Sequence, residues 1–293
     1  MATTLTSPPS ILPLYARAAA PLIPGASLLP FVPGGGGEIP EIELELTGVR
    51  TDPAALAAYD KVCGFALRDR LPATYPHVLA FPLQMAVMAD GRFPFGAVGL
   101  VHVANRIAQR RPIAVGEELT IHVRPTKLQP HPKGQTFTLQ TIALSGDEVV
   151  WDETSTMLRR GKSNGGESQP HGEEGFPAGP EDAPAAAEWR LGGDLGRRYA
   201  AVSGDRNPIH MHAWTAKPLG FPAAIAHGMW TKARALAQLE SRLPDAFEVD
   251  VRFRKPILLP ARVEFAEQTT GDETGFAVRD AKRQIPHLDG RIR

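Results

Sequence analysis

The chain says the same thing twice. "YDKVCGF" at Tyr59 to Phe65 lines up with "YAAVSGD" at Tyr199 to Asp205, sharing Tyr, Val and Gly at one spacing. "YPHVLAFPLQM" (Tyr75 to Met85) lines up with "FPAAIAHGMWT" (Phe221 to Thr231), and "RPIAVGEELTI" (Arg111 to Ile121) with "KPILLPARVEF" (Lys255 to Phe265). The three matches keep one order and lie 140 to 146 residues apart. Self-similarity of this kind means two copies of one fold, and 293 residues suffice for two domains with a core each. Residues 161–187, rich in Gly, Pro, Glu and Ala with no helical or strand period, read as the linker between them. Residues 1–38 read as a second Pro/Gly-rich stretch ending in Gly34 to Gly37. No Lys-Ser/Thr follows those glycines, so a hinge or loop fits them better than a phosphate cradle. The expected division is therefore 1–38, a first unit at 39–160, the linker, and a second unit at 188–293.

Within each copy a helical region precedes strands. Asp52-Pro53 places a cap and a first-turn proline ahead of "AALAAYDKV", and "MWTKARALAQLESRL" (Met229 to Leu243) has helical composition with no internal Gly or Pro. β-favouring runs follow in both, "TFTLQTIAL" alternating most clearly in the first and "FEVDVRFRKPI", "ARVEFAEQT" and "GFAVRD" in the second. A long helix laid on an antiparallel sheet is an α+β fold. The carboxyl end, "RDAKRQIPHLDGRIR", is short and polar for a closing strand.

"SGDRNPIH" (Ser203 to His210) breaks this scheme. Pro208 lacks an N–H and pushes Asn207 toward an extended backbone, so no helix runs through. Asp205, Asn207 and His210 together supply a carboxylate, an amide and an imidazole, a proton-transfer set. They are equally the residues of an ordinary turn, and here the repeat serves as a control. Asp205 corresponds to Phe65 and His210 to Arg70: the scaffold recurs and the polar residues do not. Gly228, in "AHGM", corresponds to Pro82, in "AFPL". A glycine there offers an N–H near a helix start and a proline has none, so a site using that donor can exist in the second copy and not in the first. The letters "SGD" alone carry little weight, since "LSGDE" at Leu144 to Glu148 lies between strand-like runs and reads as a hairpin turn.

"YAAVSGDRNPIH" followed by "GFPAAIAHGM" resembles the signature of the MaoC-like, hydratase-2 family of hotdog-fold enoyl-CoA hydratases and dehydratases. The resemblance is close over about thirty residues and looser over the second copy. It implies a tandem (double) hotdog, each unit a long central helix wrapped by an antiparallel sheet, with one half degenerate. It implies reversible hydration of trans-2-enoyl thioesters to (R)-3-hydroxyacyl thioesters, carried on CoA or acyl carrier protein, with no metal or redox cofactor. Asp205 and His210 would activate water, Asn207 would orient them, and the Gly228 N–H would bind the thioester oxygen. Phe81, Met85 and Met88 would shape an acyl tunnel, and Ser203 and His227 would lie at the substrate, although His227 at a helix start is as well explained by packing. Arg254 and Lys255, ahead of Pro256, would meet CoA phosphates or form a solvated strand end. Two departures stand out: His212 occupies a position that is acidic in many relatives, and Pro218 interrupts the helical stretch after it.

Other features narrow the alternatives. Lysine and arginine total 32, as do aspartate and glutamate, so no net field attracts nucleic acid. One cysteine, Cys63, excludes an internal disulfide, and the cytoplasm is the expected compartment. No apolar run is long enough to span a membrane. His210 and His212, two apart on an extended segment, would face opposite sides, which disfavours a two-His metal site. Tyr59 and Tyr199 recur in both halves and read as packing. Two other functions stay open, a non-catalytic hotdog subunit that binds acyl thioesters and a hotdog thioesterase. A homodimer is compatible with all three, although the tandem already supplies a pair of units.

Overall fold

The structure, a computed structural model, describes residues 2–19, 37–161, 179–180 and 183–293. Most of the expected linker and Gly34 to Gly36 lie outside them. In the first half the order is β1 (Thr3–Leu5), α1 (Ile11–Ala19), β2 (Leu44–Val49), α2 (Pro53–Cys63), α3 (Tyr75–Met88), β3 (Val101–Gln109), β4 (Leu119–Pro125), β5 (Gln129–His131), β6 (Gly134–Ser145) and β7 (Glu148–Arg160). The second half runs β8 (Ala185–Leu191), α4 (Leu195–Ser203), α5 (Pro208–Met211), α6 (Ala213–Ala216), α7 (Gly228–Leu239), β9 (Phe247–Phe253), β10 (Ala261–Thr270), β11 (Glu273–Asp280) and β12 (Pro286–Ile292).

Among the described residues twelve strands form one sheet, ordered β1-β2-β4-β6-β7-β3-β9-β12-β11-β10-β8, with β5 beside β6. The segment β2-β4-β6-β7-β3 and the segment β8-β10-β11-β12-β9 have the same order in chain terms, so the repeat in the letters is a repeat in topology. Each segment curls about its own helix, α3 or α7, as a double hotdog requires. The two meet edge to edge where β3 pairs antiparallel with β9, from Ala104 opposite Arg252 to Gln109 opposite Phe247. That pairing occupies backbone groups that would otherwise make two open edges. Arg106 reinforces the seam, reaching Asp152 at 2.8 Å on β7 and Glu248 on β9. Tyr59 and Tyr199, both fully buried, pack with ring centroids 6.1 Å apart, the packing role their recurrence suggested.

Local chemistry explains most elements. Asp52 caps α2 by accepting from Ala54 N–H at 3.0 Å, with Pro53 in the first turn. Gly146 and Asp147 make the two-residue turn between β6 and β7, Gly146 at a φ of 57°, so "LSGDE" is the expected hairpin. Helix α3 is not visible in the pattern, because Pro82 lies inside it and it is buried on nearly every side; its two polar residues, His77 and Gln84, face the cavity and not solvent.

Several expectations are corrected. Residues 1–38 are not all loop. β1 pairs in parallel with β2, and α1 buries Leu14 and Ala18, one turn apart, with Pro13 tolerated because first-turn N–H groups have no helical partner anyway. β8 begins at Ala185, inside the stretch read as linker, and each unit opens with a strand ahead of its helices. The polar carboxyl end is no frayed edge: β12 lies between β11 and β9. Its charges are paired, Asp289 with Arg254 and Arg291 with Asp250, each at 3.2 Å. At Gly290 a Cβ would come within 2.3 Å of the Phe276 ring, so only glycine lets the strand close.

Candidate functional site

Helix α4 ends at Ser203, and Gly204 turns the chain at a φ of 77°. Ser203 donates its hydroxyl to Tyr199 O at 2.8 Å and accepts from Asp205 N–H at 3.2 Å. Asn207 then caps α5, accepting from Ile209 N–H at 3.4 Å ahead of Pro208. His210 therefore lies on a short helix, not on an extended segment. It still diverges from His212, whose ring stacks on Trp214 outside the site, 5.8 Å away. Gly196 makes this possible, since a Cβ there would fall 1.9 Å from His210 O.

The carboxylate of Asp205 faces a cavity of about 680 Å³ built from both halves, a size typical of small-molecule sites. Its Oδ1 accepts from Asn207 N–H at 3.1 Å and from the Tyr15 hydroxyl at 2.9 Å. Burial would raise its pKa; His227, His210 and these two donors outweigh burial and hold the carboxyl below its ordinary range. His210 Nδ1 donates to Ile225 O at 2.8 Å, leaving Nε2 as the ring's acceptor, and burial keeps the ring neutral by lowering its pKa. His227 stacks under it at 3.6 Å and donates Nε2–H to Asp205 O at 3.0 Å. The nearest polar atoms of Asp205, His210 and His227 lie within 4.8 Å of one another, a spacing that also suits a cation. The hydrogen bonds already spend the His227 Nε2 on the Asp205 backbone and leave its Nδ1 buried without a hydrogen-bond partner among the described residues, so that ring is better placed to hold the Asp205 backbone.

Gly228 opens α7, where first-turn N–H groups have no helical partner. Its bareness has a steric cause: an added Cβ would lie 2.9 Å from the Phe253 ring. The aligned Pro82 lies mid-helix. In the first half Phe65 is buried against Tyr59 and Arg70 pairs with Asp245 at 2.8 Å, so nothing there duplicates the acid–imidazole loop.

Asp205, Asn207, His210, Gly228, Ser203, His227, Phe81, Arg254 and Lys255 all line this one cavity. Met85 does not. It is core, and of the two methionines expected there only Met88, one turn on, lines the wall. Ser203 supports Asp205 with both its hydroxyl bonds internal, and Arg254 is partly neutralised by Asp289.

Tyr15 escaped the sequence reading altogether. Its oxygen accepts from Arg206 N–H at 2.7 Å, which turns its own proton onto Asp205. Burial and the neighbouring carboxylate push its pKa far up, so it remains a donor. The available signal was the Leu14–Ala18 spacing within "ILPLYARAA", hidden among prolines. Tyr15→Phe removes one hydrogen bond to a charged group, worth about 1.5–3 kcal/mol. We expect kcat to fall about tenfold with KM little changed and the acid limb of the pH profile shifted upward, since Asp205 loses a donor that favours its charged form.

The buried histidines also fix an acid weakness. Burial lowers His102 and His227 to about 3, while the unfolded chain binds their protons near pH 6.5. Below that value the unfolded state takes up protons that the native state refuses, so stability falls by about 1.4 kcal/mol per pH unit for each ring. Thermal unfolding from pH 7 to pH 5 should show a steep drop in Tm, lessened in His102→Phe.

Two hotdog units in one chain, with an acid–imidazole loop opening on the cavity between them, define the class of double-hotdog dehydratases. The chain belongs to the MaoC-like dehydratase family and is an enzyme of the hydro-lyase type. The MaoC like domain profile matches residues 183–290. The 3-hydroxyacyl-thioester dehydratase X of Mycobacterium tuberculosis is 38% identical over 269 residues, covering 92% of this chain and 94% of that protein. The crystal structure of HtdX from that organism superposes with a TM-score of 0.76 at 37% identity, over 86% of this chain and 99% of that one. A MaoC-like dehydratase from Phytophthora capsici shares the fold at a TM-score of 0.69 and 20% identity, over 86% of this chain and 94% of its own. Among the described residues no helix is long and apolar enough to cross a membrane.

Proposed function

We propose that this enzyme hydrates trans-2-enoyl thioesters reversibly to (R)-3-hydroxyacyl thioesters carried on CoA or acyl carrier protein, without a metal or redox cofactor. The observation that carries the reading is the convergence of an ionised Asp205, an acceptor nitrogen of His210 and the open N-terminus of α7 on one cavity. A water between Asp205 and His210 donates to both. As its oxygen bonds C3, one of the pair takes its proton and the C2=C3 electrons move toward the thioester oxygen. The Gly228 N–H, at the positive end of α7, stabilises that enolate-like oxygen. Return of a proton from the pair to C2 completes addition of one water and restores both residues. Dehydration is the same path reversed. Asn207 shapes the loop through its cap and its N–H to Asp205.

Lys133, Arg160 and Lys255 are exposed on the rim of the cavity and suit the phosphates of a CoA or phosphopantetheine handle. One chain supplies both walls, so the cavity does not depend on a second copy.

The test is loss of conjugated enoyl absorbance from trans-2-enoyl-CoA esters with purified protein, product chirality being read with an (R)-specific dehydrogenase and free thiol assayed in parallel. Hydration consumes the ester with no thiol released. Release of CoA would instead mark a thioesterase, and inertness of folded protein on CoA and carrier-protein esters alike would leave a binding subunit. Activity should survive dialysis against a strong chelator; its loss, with recovery on adding a divalent ion, would move Asp205, His210 and His227 to a metal role.

A further inference from the structure

The wall that the first unit lends to the cavity is not the apolar surface a plain hydrocarbon chain calls for. His77, Gln84, His102 and Ser155 line it beside Phe81 and Met88. Behind them Glu153, fully buried, accepts from His77 Nδ1 at 2.9 Å, Gln84 Nε2 at 3.1 Å and Asn105 Nδ2 at 2.6 Å. Asn105 in turn accepts from the buried Lys232 ammonium through Oδ1 at 2.5 Å, so the charge of the carboxylate is answered inside the protein.

These bonds decide which atoms remain for a ligand. His77 gives Nδ1–H to the carboxylate, so Nε2 is the ring atom left. Gln84 gives both amide hydrogens, one to Glu153 and one to Thr141 at 3.1 Å, so its carbonyl oxygen is left. Ser155 accepts from Asn105 at 3.0 Å and keeps its own O–H. His102 Nε2 is buried with no hydrogen-bond partner among the described residues. Its ring lies between His77, 6.4 Å away, and Phe253, 4.9 Å away, the same Phe253 that packs on Gly228. The polar wall thus starts beside the helix terminus assigned to the thioester and runs toward Met88. A buried polar network that serves structure alone satisfies itself, and this one presents unspent acceptors and a donor to a cavity.

We propose that this wall binds a hydroxyl group on the acyl chain beyond the reacting carbons, so that the preferred substrates are hydroxylated acyl thioesters. The inference rests on the thioester reading above. A hydroxyl is the match because it gives a proton to His77 Nε2 or the Gln84 oxygen while accepting from Ser155, whereas a keto group only accepts.

The test separates this inference from the hydration chemistry. Equilibrium binding would be measured for octanoyl-CoA and for isomers carrying one hydroxyl at successive positions from mid-chain to the end; none of these reacts. At least one isomer should bind wild type about tenfold tighter than octanoyl-CoA, the size of one well-made hydrogen bond. That preference should shrink to within about twofold in His77→Phe, which leaves Glu153 with Gln84 and Asn105 and keeps the charge opposite Lys232, and in Ser155→Ala. If every hydroxylated isomer binds no better than octanoyl-CoA while trans-2-octenoyl-CoA is hydrated normally, the inference is overturned and the reaction reading stands. Persistence of the preference in folded variants overturns it too. If no acyl-CoA binds or reacts, it is the thioester reading that fails, and this inference with it. Should His77→Phe not fold, the wild-type preference and Ser155→Ala decide.

Discussion

Asp205→Asn is expected to lower kcat/KM for enoyl-CoA hydration by about a hundredfold or more, the range for removal of a positioned acid–base group. The amide is the same size, and its oxygen still accepts from Tyr15 and the Asn207 N–H, so the loop keeps its shape. What disappears is the negative charge that takes a proton from water. Without that charge His210 also loses a neighbour that supports its protonated form, and its pKa falls further. Tm should fall modestly, because the attractions that hold the Asp205 carboxyl below its ordinary range outweigh its desolvation and are lost with the charge. His210→Ala should be comparably slow, and the double variant little slower than either, since residues that act as a unit are not additive. Enoyl absorbance kinetics and thermal melts on the three proteins check this. An Asp205→Asn variant that is folded and nearly as fast as wild type would remove Asp205 from the chemistry.

Gly228→Ala is expected to cost about 3 kcal/mol in the barrier, or roughly a hundredfold in kcat, the usual loss for one oxyanion donor. The added methyl would sit 2.9 to 3.1 Å from three ring atoms of Phe253, so the start of α7 or the ring must move. Phe253 is held against His102, and the helix end is the part free to shift, taking the donor with it. A companion pair isolates the N–H itself. Gly228→Ala/Phe253→Leu opens space for the methyl and should recover most of the rate. Gly228→Pro/Phe253→Leu fits the first helical position equally well but has no N–H, and should stay slow. Equal rates for the two would show that the donor is not used.

Tyr15 shows where sequence reasoning stopped. The acid–imidazole loop was legible because its residues are local: proline, glycine and asparagine shape eight consecutive positions, and a second copy of the scaffold lacked the polar ones. Tyr15 is 190 residues from Asp205, and nothing in a prolyl, alanyl stretch announces so distant a partner. Gly196 was overlooked for the same reason, its neighbour His210 O being brought there only by the packing of α4 on α5. Met85 and Met88 are both expected at the wall and only Met88 lines it, because the face of α3 toward the cavity, His77, Phe81, Gln84 and Met88, is set by the sheet packed around the helix and not by an apolar period.

By itself the sequence determined the duplication, the strands that follow the helices in each unit, and which copy carries the acid–base loop, because these depend on local propensity, hydrophobic pattern and comparison within one chain. Tertiary structure alone decided that α1 brings Tyr15 back to the site, that the polar end of the chain becomes the interior strand β12, and that a buried carboxylate, Glu153, holds the His77 and Gln84 side chains at the cavity wall. Each of these rests on contacts between residues far apart in the chain, whose free energy comes from exclusion of water and pairing of buried polar groups once the halves have closed.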